Sequence, residues 1–211
     1  MAVYDLEEQE RIDALKDWWG QNGKFVYAAA GTLLAVFIGV NGWHMYKRDQ
    51  GAKAEALFKE AQKLSPDKDA KKLSDAATDL AAKYPGTFYA TEAALFAAKA
   101  SFEAKDYPAA RAQLAWVADK GVVQLRPVAR LRLASVYLEE KNYDEALKAI
   151  DAVKDESYLA LASDMKGDVL MAQGKKDDAR TAYQAALDKA DARSPVKQFT
   201  QFKLDALGEA K

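Results

Sequence analysis

Closely spaced carboxylates are the most obvious candidates for chemistry in this sequence. Asp164 and Asp168 would share one face of a helix, because side chains four positions apart lie one turn above each other. Such a pair could act as acid and base or bind a cation, as could Glu139-Glu140 and Asp177-Asp178. Charged helix faces are normally just solvated, however, and no oxygen-rich loop of calcium-binding spacing accompanies these pairs. We therefore do not expect catalysis or metal binding from them.

The remaining inventory of reactive residues is sparse. The chain has no cysteine and a single histidine, His44, so neither a Ser-His-Asp site in the rest of the chain nor the usual zinc sites can be assembled. None of the 11 glycines forms a phosphate-binding loop. The net charge of −1 provides no field that would attract nucleic acid. The sequence predicts a protein that is not an enzyme, with no cofactor, small-molecule substrate or nucleic-acid partner.

One segment has the properties of a membrane anchor. Residues 25–46 contain no Asp, Glu, Lys or Arg, and as a helix rising about 1.5 Å per residue they would reach roughly 33 Å, enough for a hydrocarbon core of about 30 Å. Aromatic residues near both ends, among them Trp19 and Trp43, suit the headgroup level. A buried core helix and a cleavable signal peptide are the alternatives. The length, and Asn41-Gly42 where a signal peptide would have a small-residue cleavage site, favour an uncleaved transmembrane helix.

Two further features belong to this N-terminal part. Residues 1–24 form a short acidic segment, in which Ile12, Leu15 and Trp19 share a helical face. Within the span, small residues fall at intervals of one helical turn, where another membrane helix could approach closely. These candidate packing residues are Gly31, Ala35 and Gly39.

From residue 52 to residue 211 the chain is rich in Ala, Leu, Lys, Glu and Asp, which is typical of short amphipathic helices. A unit beginning around Ala98 recurs around Ala134 and again around Gly167. A second series of positions, Leu73, Ala110, Ala146 and Ala179, recurs at roughly the 34-residue period of tetratricopeptide repeats. The sequence thus predicts an all-α fold: one transmembrane helix, then a tetratricopeptide-like α-solenoid that ends in a capping helix over about 194–207.

The repeat register also predicts a binding surface. In tetratricopeptide stacks the first helix of each pair lines a concave face, and its residues here are candidates for contact with protein partners. They are Leu95, Lys99, Phe102, Val128, Leu131, Leu138, Asp164, Asp168 and Met171. Several of them must instead pack between helices. For the capping helix, the apolar spacing predicts that Val196, Phe199, Phe202 and Leu207 face the stack.

Taken over nearly the full length, the sequence resembles the YfgM family of bacterial inner-membrane proteins, the ancillary subunits of the Sec translocon. The resemblance is carried by an acidic start, a single span, the repeats and a set of short motifs along the chain. These motifs are Asp5-Leu6-Glu7-Glu8-Gln9-Glu10, Leu15, Trp18-Trp19, Asn22-Gly23, Gly167-Asp168, Ala179-Arg180 and Lys203-Leu204-Asp205-Ala206-Leu207.

The resemblance implies a single-pass inner-membrane protein with a cytoplasmic N-terminus and a periplasmic repeat domain. It also implies that the SecYEG translocon, periplasmic chaperones and translocated protein clients are the partners. The basic residues near the span favour the opposite orientation slightly, since Lys47 and Arg48 follow it directly. A membrane-tethered tetratricopeptide adaptor for cytochrome maturation or cell-wall assembly is the alternative function.

Overall fold

A computed structural model of the chain describes residues 2–191 and 193–208, without the side chains of residues 2–6 and 67. The described residues form nine α-helices and one 3-10 turn and contain no β-strand, which confirms the all-α class. Met1, Ala192 and residues 209–211, which belong to the expected ranges 1–24 and 52–211, lie outside the described residues.

The α-helices follow one another with short connections. They are α1 (Ala2–Ala61), α2 (Pro66–Lys83), α3 (Phe88–Glu103), α4 (Tyr107–Lys120), α5 (Arg126–Glu139), α6 (Tyr143–Asp151), α7 (Glu156–Ala172), α8 (Lys176–Lys189) and α9 (Pro195–Ala206). The 3-10 turn, Val123–Leu125, precedes α5. The chain divides into two compact units, Met1–Asp49 and Gln50–Lys211.

The first unit consists of the N-terminal part of α1. Among the described residues, α1 is the one helix long and apolar enough to cross a membrane, by its length and composition. Two polar side chains within the apolar stretch bond to the helix itself: Thr32 Oγ1 donates to the Ala28 carbonyl at 2.9 Å, and Asn41 Nδ2 donates to the Phe37 carbonyl at 2.8 Å. The Thr32 hydroxyl therefore brings no unsatisfied donor into hydrocarbon, and Asn41 has one of its two amide donors satisfied.

The second unit is built from helix pairs. The C-terminal end of α1 packs with α2 through Ala54, Ala61, Leu73 and Leu80. After it, α3 contacts α4, α5 contacts α6, and α7 contacts α8, and successive pairs meet through α2–α3, α4–α5 and α6–α7. Each element thus packs mainly against its neighbours in sequence, as in a solenoid.

Buried residues, most of them small, recur at corresponding positions of the paired helices. Ala110, Ala146 and Ala179 are fully buried, as is Leu73 at 1% exposure in the first pair. Gly167 leaves no room for a Cβ, because one would collide with the ring of Tyr183. Alanine recurs at these positions because a longer side chain would hold the two helices apart.

The three complete pairs share one turn geometry. Lys105, Lys141 and Gly174 follow the first helix of their pair and have φ values of 61°, 58° and 78°. In each turn the next amide bonds back to a carbonyl five residues earlier, as Asp106 N does to Ser101 O at 2.8 Å. This is the Schellman arrangement, which terminates a helix with one left-handed residue. The same turn therefore reverses the chain in each of these three pairs.

The capping helix α9 packs against α7 and α8, but only part of the predicted apolar face takes part, since Leu207 packs against the core of the last pair. Phe199 and Phe202 are 65% and 71% exposed, so the expectation that they face the stack is wrong. Thr200, which is fully buried, lies on the inward side, together with Leu204 and Leu207, which pack against the core of the last pair. The polar partners that turn the helix this way are described below.

Candidate protein-binding groove

The nine residues predicted to line the concave surface all lie on α3, α5 and α7, the first helices of the three complete pairs. They differ in accessibility. Leu95 and Leu131 are 7% and 4% exposed and belong to the cores of their pairs. Val128, Leu138 and Met171 are half-buried. Leu95 and Leu131 serve packing between helices and do not line the cavity described next.

Lys99 and Phe102 lie near the C-terminal end of α3 beside a cavity of about 340 Å³. The Phe102 ring is half-buried and packs on Tyr107 with centroids 5.7 Å apart. Lys99 is exposed, and its Nζ lies 3.7 Å from the Glu103 carboxylate. The opposite wall of the cavity comes from α5, through Arg132, Ser135 and Val136. Of the predicted surface residues, Lys99 and Phe102 therefore line a cavity between α3 and α5.

Asp164 and Asp168 are brought together, but their partners lie within the chain, on α8 and α9. Lys203 Nζ lies 2.8 Å from an Asp164 oxygen and 2.7 Å from an Asp168 oxygen. Thr200 Oγ1 donates a second hydrogen bond to Asp164 at 2.7 Å, and the Tyr183 hydroxyl donates one to Asp168 at 2.8 Å. We call these five residues the α9 latch.

Two pKa shifts reflect the surroundings of the latch. Burial raises the pKa of the Tyr183 hydroxyl, and its hydrogen bond to Asp168 raises it further. Burial by itself would lower the pKa of Lys203, but the hydrogen bonds to Asp164 and Asp168 outweigh it, and the pKa is raised above its ordinary value. Both groups therefore hold their protons, and the two carboxylates serve as acceptors that fix α9 in place.

The sequence did not predict the residues that complete the α9 latch or those that line the α5 side of the cavity beside Lys99. Lys203, Thr200 and Tyr183 complete the latch, and Arg132 and Ser135 face Lys99 across the cavity. The available signal was weak. Thr200 and Lys203 follow one another at helical spacing in α9, but a threonine and a lysine on a short helix are normally read as its solvent face.

The candidate contact for a membrane partner lies in the first unit. Gly31, Ala35 and Gly39 are exposed along α1, and nothing lies within 4 Å of a Cβ built on either glycine. The stripe therefore remains open to another helix, and its role remains a prediction.

Stacked helix pairs with small residues at their crossings, a shared turn and a capping helix define a tetratricopeptide-like repeat protein. Residues 16–209 match the family model described as a tetratricopeptide repeat-like domain, which confirms this class.

Relatives extend the comparison to nearly the whole chain. The ancillary SecYEG translocon subunit of Neisseria gonorrhoeae (strain ATCC 700825 / FA 1090) is 32% identical over 215 residues, which cover 98% of this chain and 100% of the relative. The proteins of the same name from Aggregatibacter actinomycetemcomitans and Escherichia coli (strain K12) are each 30% identical, over 97% and 98% of this chain and 100% and 99% of the relatives. The chain belongs to the family of ancillary SecYEG translocon subunits, as its motifs indicated.

Proposed function

We propose that this protein is a single-pass inner-membrane scaffold that associates with the SecYEG translocon and binds other proteins through its repeat unit. The observation that carries the proposal is the similarity over 97–98% of the chain to proteins named for that role. The helix pairs support it, because a solenoid presents an extended surface to polypeptides. In this proposal the protein is not an enzyme and uses no cofactor.

The proposed topology places residues 1–24 in the cytoplasm, residues 25–46 in the membrane and residues 52–211 in the periplasm. A repeat unit on that side would meet polypeptides as they leave the translocon. The basic residues after the span oppose this orientation only weakly, because long domains are translocated largely regardless of such differences. Periplasmic chaperones and translocated clients are the proposed soluble partners.

The test is affinity purification of the tagged full chain from membranes after crosslinking, with SecY as the readout. We expect SecY in the purified material, together with periplasmic chaperones. Recovery of cytochrome-maturation or cell-wall assembly proteins without SecY would contradict the proposal and favour the alternative adaptor function.

A matched pair of variants tests the proposed contact in the membrane. Gly31→Leu with Gly39→Leu adds bulk on the small-residue stripe, whereas Ala30→Leu adds bulk about 140° away from the middle of the stripe around the same helix. SecY recovery should fall for the first variant and not for the second. Equal recovery from both would remove the stripe from the proposed interface.

A further inference from the structure

The cavity beside Lys99 has an apolar floor. Ala98, Leu114 and Val136 line it, each 2% exposed, and the half-buried ring of Phe102 forms part of its side. These residues come from α3, α4 and α5, so the floor is the core of one helix pair meeting the next. At about 340 Å³ the cavity is large enough for one bulky apolar side chain of a ligand.

The rim of the cavity carries charge. Lys99 and Arg132 contribute two positive charges, and Glu103 contributes one negative charge. Glu103 lies 3.7 Å from Lys99, at the long end of an ion pair. The rim is therefore net positive, on a chain whose net charge is −1.

Arg132 is exposed and makes no hydrogen bond or ion pair with a described residue. Three arginines of the neighbouring helices are engaged: Arg111 pairs with Glu140 at 3.0 Å, while Arg126 and Arg130 donate to backbone carbonyls. Arg132 thus keeps all the donors of its guanidinium at the edge of an apolar cavity. A planar guanidinium in this position is suited to a carboxylate.

We propose that this cavity, which we call the α3–α5 pocket, binds a segment of a partner protein in which an Asp or Glu side chain lies next to a large apolar residue. The apolar side chain fills the pocket over Leu114 and Val136, and the carboxylate pairs with Arg132 and Lys99. Apolar burial supplies most of the affinity, and the charge pair sets orientation and specificity. The inference rests on the proposed role in protein binding and names the chemistry of the segment recognised.

The larger cavity near α6 and α7 does not carry the same inference. It measures about 620 Å³, and no arginine is among its described lining residues. Two of its three lining lysines are engaged within the chain, Lys166 with Asp151 at 3.0 Å and Lys189 with Ser163 at 3.2 Å. The α3–α5 pocket is distinguished by a guanidinium that makes no hydrogen bond or ion pair with a described residue, beside an apolar floor.

The experiment measures binding of fluorescent peptides to the full chain in nanodiscs of neutral phosphatidylcholine, by anisotropy. The probe is a peptide blocked at both ends with a central Glu-Leu-Phe-Glu in a Gly-Ser host. Three control peptides replace the centre by Gln-Leu-Phe-Gln, by Glu-Ala-Ala-Glu, or by Gln-Leu-Phe-Gln with a free C-terminal carboxylate.

We expect saturable binding of the Glu-Leu-Phe-Glu peptide and affinity about tenfold lower for the Gln-Leu-Phe-Gln peptide, because a hydrogen-bonded charge is lost. Arg132→Gln should reduce the affinity for the acidic peptide to a similar extent and leave the Gln-Leu-Phe-Gln peptide unaffected. Lys197→Gln is the matched control, because Lys197 is exposed on α9 and does not line the pocket; this variant should bind like the unaltered chain.

Ser135→Phe supplies an independent test, because it fills the pocket from α5 without changing charge. It should weaken every peptide that contains Leu-Phe. Absence of saturable binding, equal affinity for the Glu and Gln peptides, or binding that requires the free C-terminal carboxylate would each overturn the proposal. The peptide measurements contain no SecY. A negative result in them is therefore distinct from a failure to recover SecY in the crosslinking experiment, which tests the proposed function.

Discussion

Gly167 lies in α7 opposite the ring of Tyr183 in α8, and a Cβ added there would collide with that ring. The ring cannot move away freely, because Tyr183 is 3% exposed and its hydroxyl is hydrogen-bonded to Asp168. Gly167→Ala should therefore lower the free energy of unfolding by about 1–3 kcal/mol, even though alanine favours helices.

Urea unfolding of the detergent-solubilised chain, followed by far-ultraviolet circular dichroism, measures this effect. Gly51→Ala is the control, because Gly51 is also helical and a Cβ there has nothing within 4 Å; it should be neutral or stabilising. If both variants were equally stable, the close approach of α7 and α8 at this position would be contradicted.

Lys203 is the centre of the α9 latch, and its removal leaves Asp164, which is 7% exposed, without its cationic partner. Lys203→Met should cost about 1–3 kcal/mol of stability near neutral pH. Lys197→Met, on the exposed side of the same helix, should cost little. Urea unfolding of the three proteins gives the comparison, and an unchanged midpoint for Lys203→Met would contradict the latch.

The latch should also make stability depend on alkaline pH. The pKa values of Tyr183 and Lys203 are both raised in the folded protein, so folding favours their protonated forms. This contribution is complete below the unfolded pKa values, about 10 for tyrosine and 10.4 for lysine, and it is lost as the pH rises through the folded values.

The difference in unfolding free energy between the unaltered chain and Lys203→Met should therefore shrink above about pH 10. The other lysines titrate in both proteins, so their contribution to the pH dependence cancels in this difference. A gap that stayed constant as the pH was raised would show that Lys203 does not act through its charge.

At the scale of single helices, α6 is the most sensitive to overpacking, because it is short, Tyr143–Asp151, and is fixed through Ala146 and Ile150. Ala146 is fully buried against α5 and its neighbours. Ala146→Leu should cost about 1–3 kcal/mol and loosen the pairs on both sides, since each pair is supported by its neighbours.

Ala112→Leu in α4 adds the same atoms at an exposed helical position, so its cost should be small. Melting followed by circular dichroism distinguishes the two variants. An unchanged melting temperature in Ala146→Leu would remove the basis for the repeat register.

The membrane helix can be tested in the same way as a single element. The eight Leu, Ile, Val and Phe residues of 25–46 each favour insertion by roughly 0.3–0.6 kcal/mol, and a lysine at the centre costs about 3 kcal/mol. Leu34→Lys should therefore nearly abolish insertion, whereas Leu34→Phe should not. The measurement is extraction of membranes with alkaline carbonate, in which release of the unaltered chain would contradict the anchor.

Over the whole molecule, the orientation in the membrane determines which partners can reach the repeat unit. We predict that alkaline phosphatase fused after Lys211 is active, because the enzyme matures only in the periplasm, and that the same enzyme fused before Met1 is inactive. A fluorescent protein that folds only in the cytoplasm should give the reverse pattern. Activity of the N-terminal fusion alone would support the orientation favoured by the basic residues after the span.

The parts of the fold that the sequence predicts are those that depend on neighbours along the chain. Apolar periodicity marked the helices, and Ala110, Ala146 and Ala179 marked the crossings, because each pair is formed by helices adjacent in sequence. The length and lack of charge of 25–46 were sufficient to predict a membrane helix. The family followed from motifs spread over the chain.

Tertiary structure alone decided which face of α9 is buried and what lies around the α3–α5 pocket. Apolar spacing favoured burial of Phe199 and Phe202. Instead Thr200 and Lys203 face inward, because they bond to carboxylates of α7. Arg132 and Lys99 are on different helix pairs, so their approach to one cavity depends on how the pairs stack. Local sequence determines which residues share a face of a helix. Which face is buried, in a helix that carries polar and apolar residues on both sides, depends on the residues packed against it.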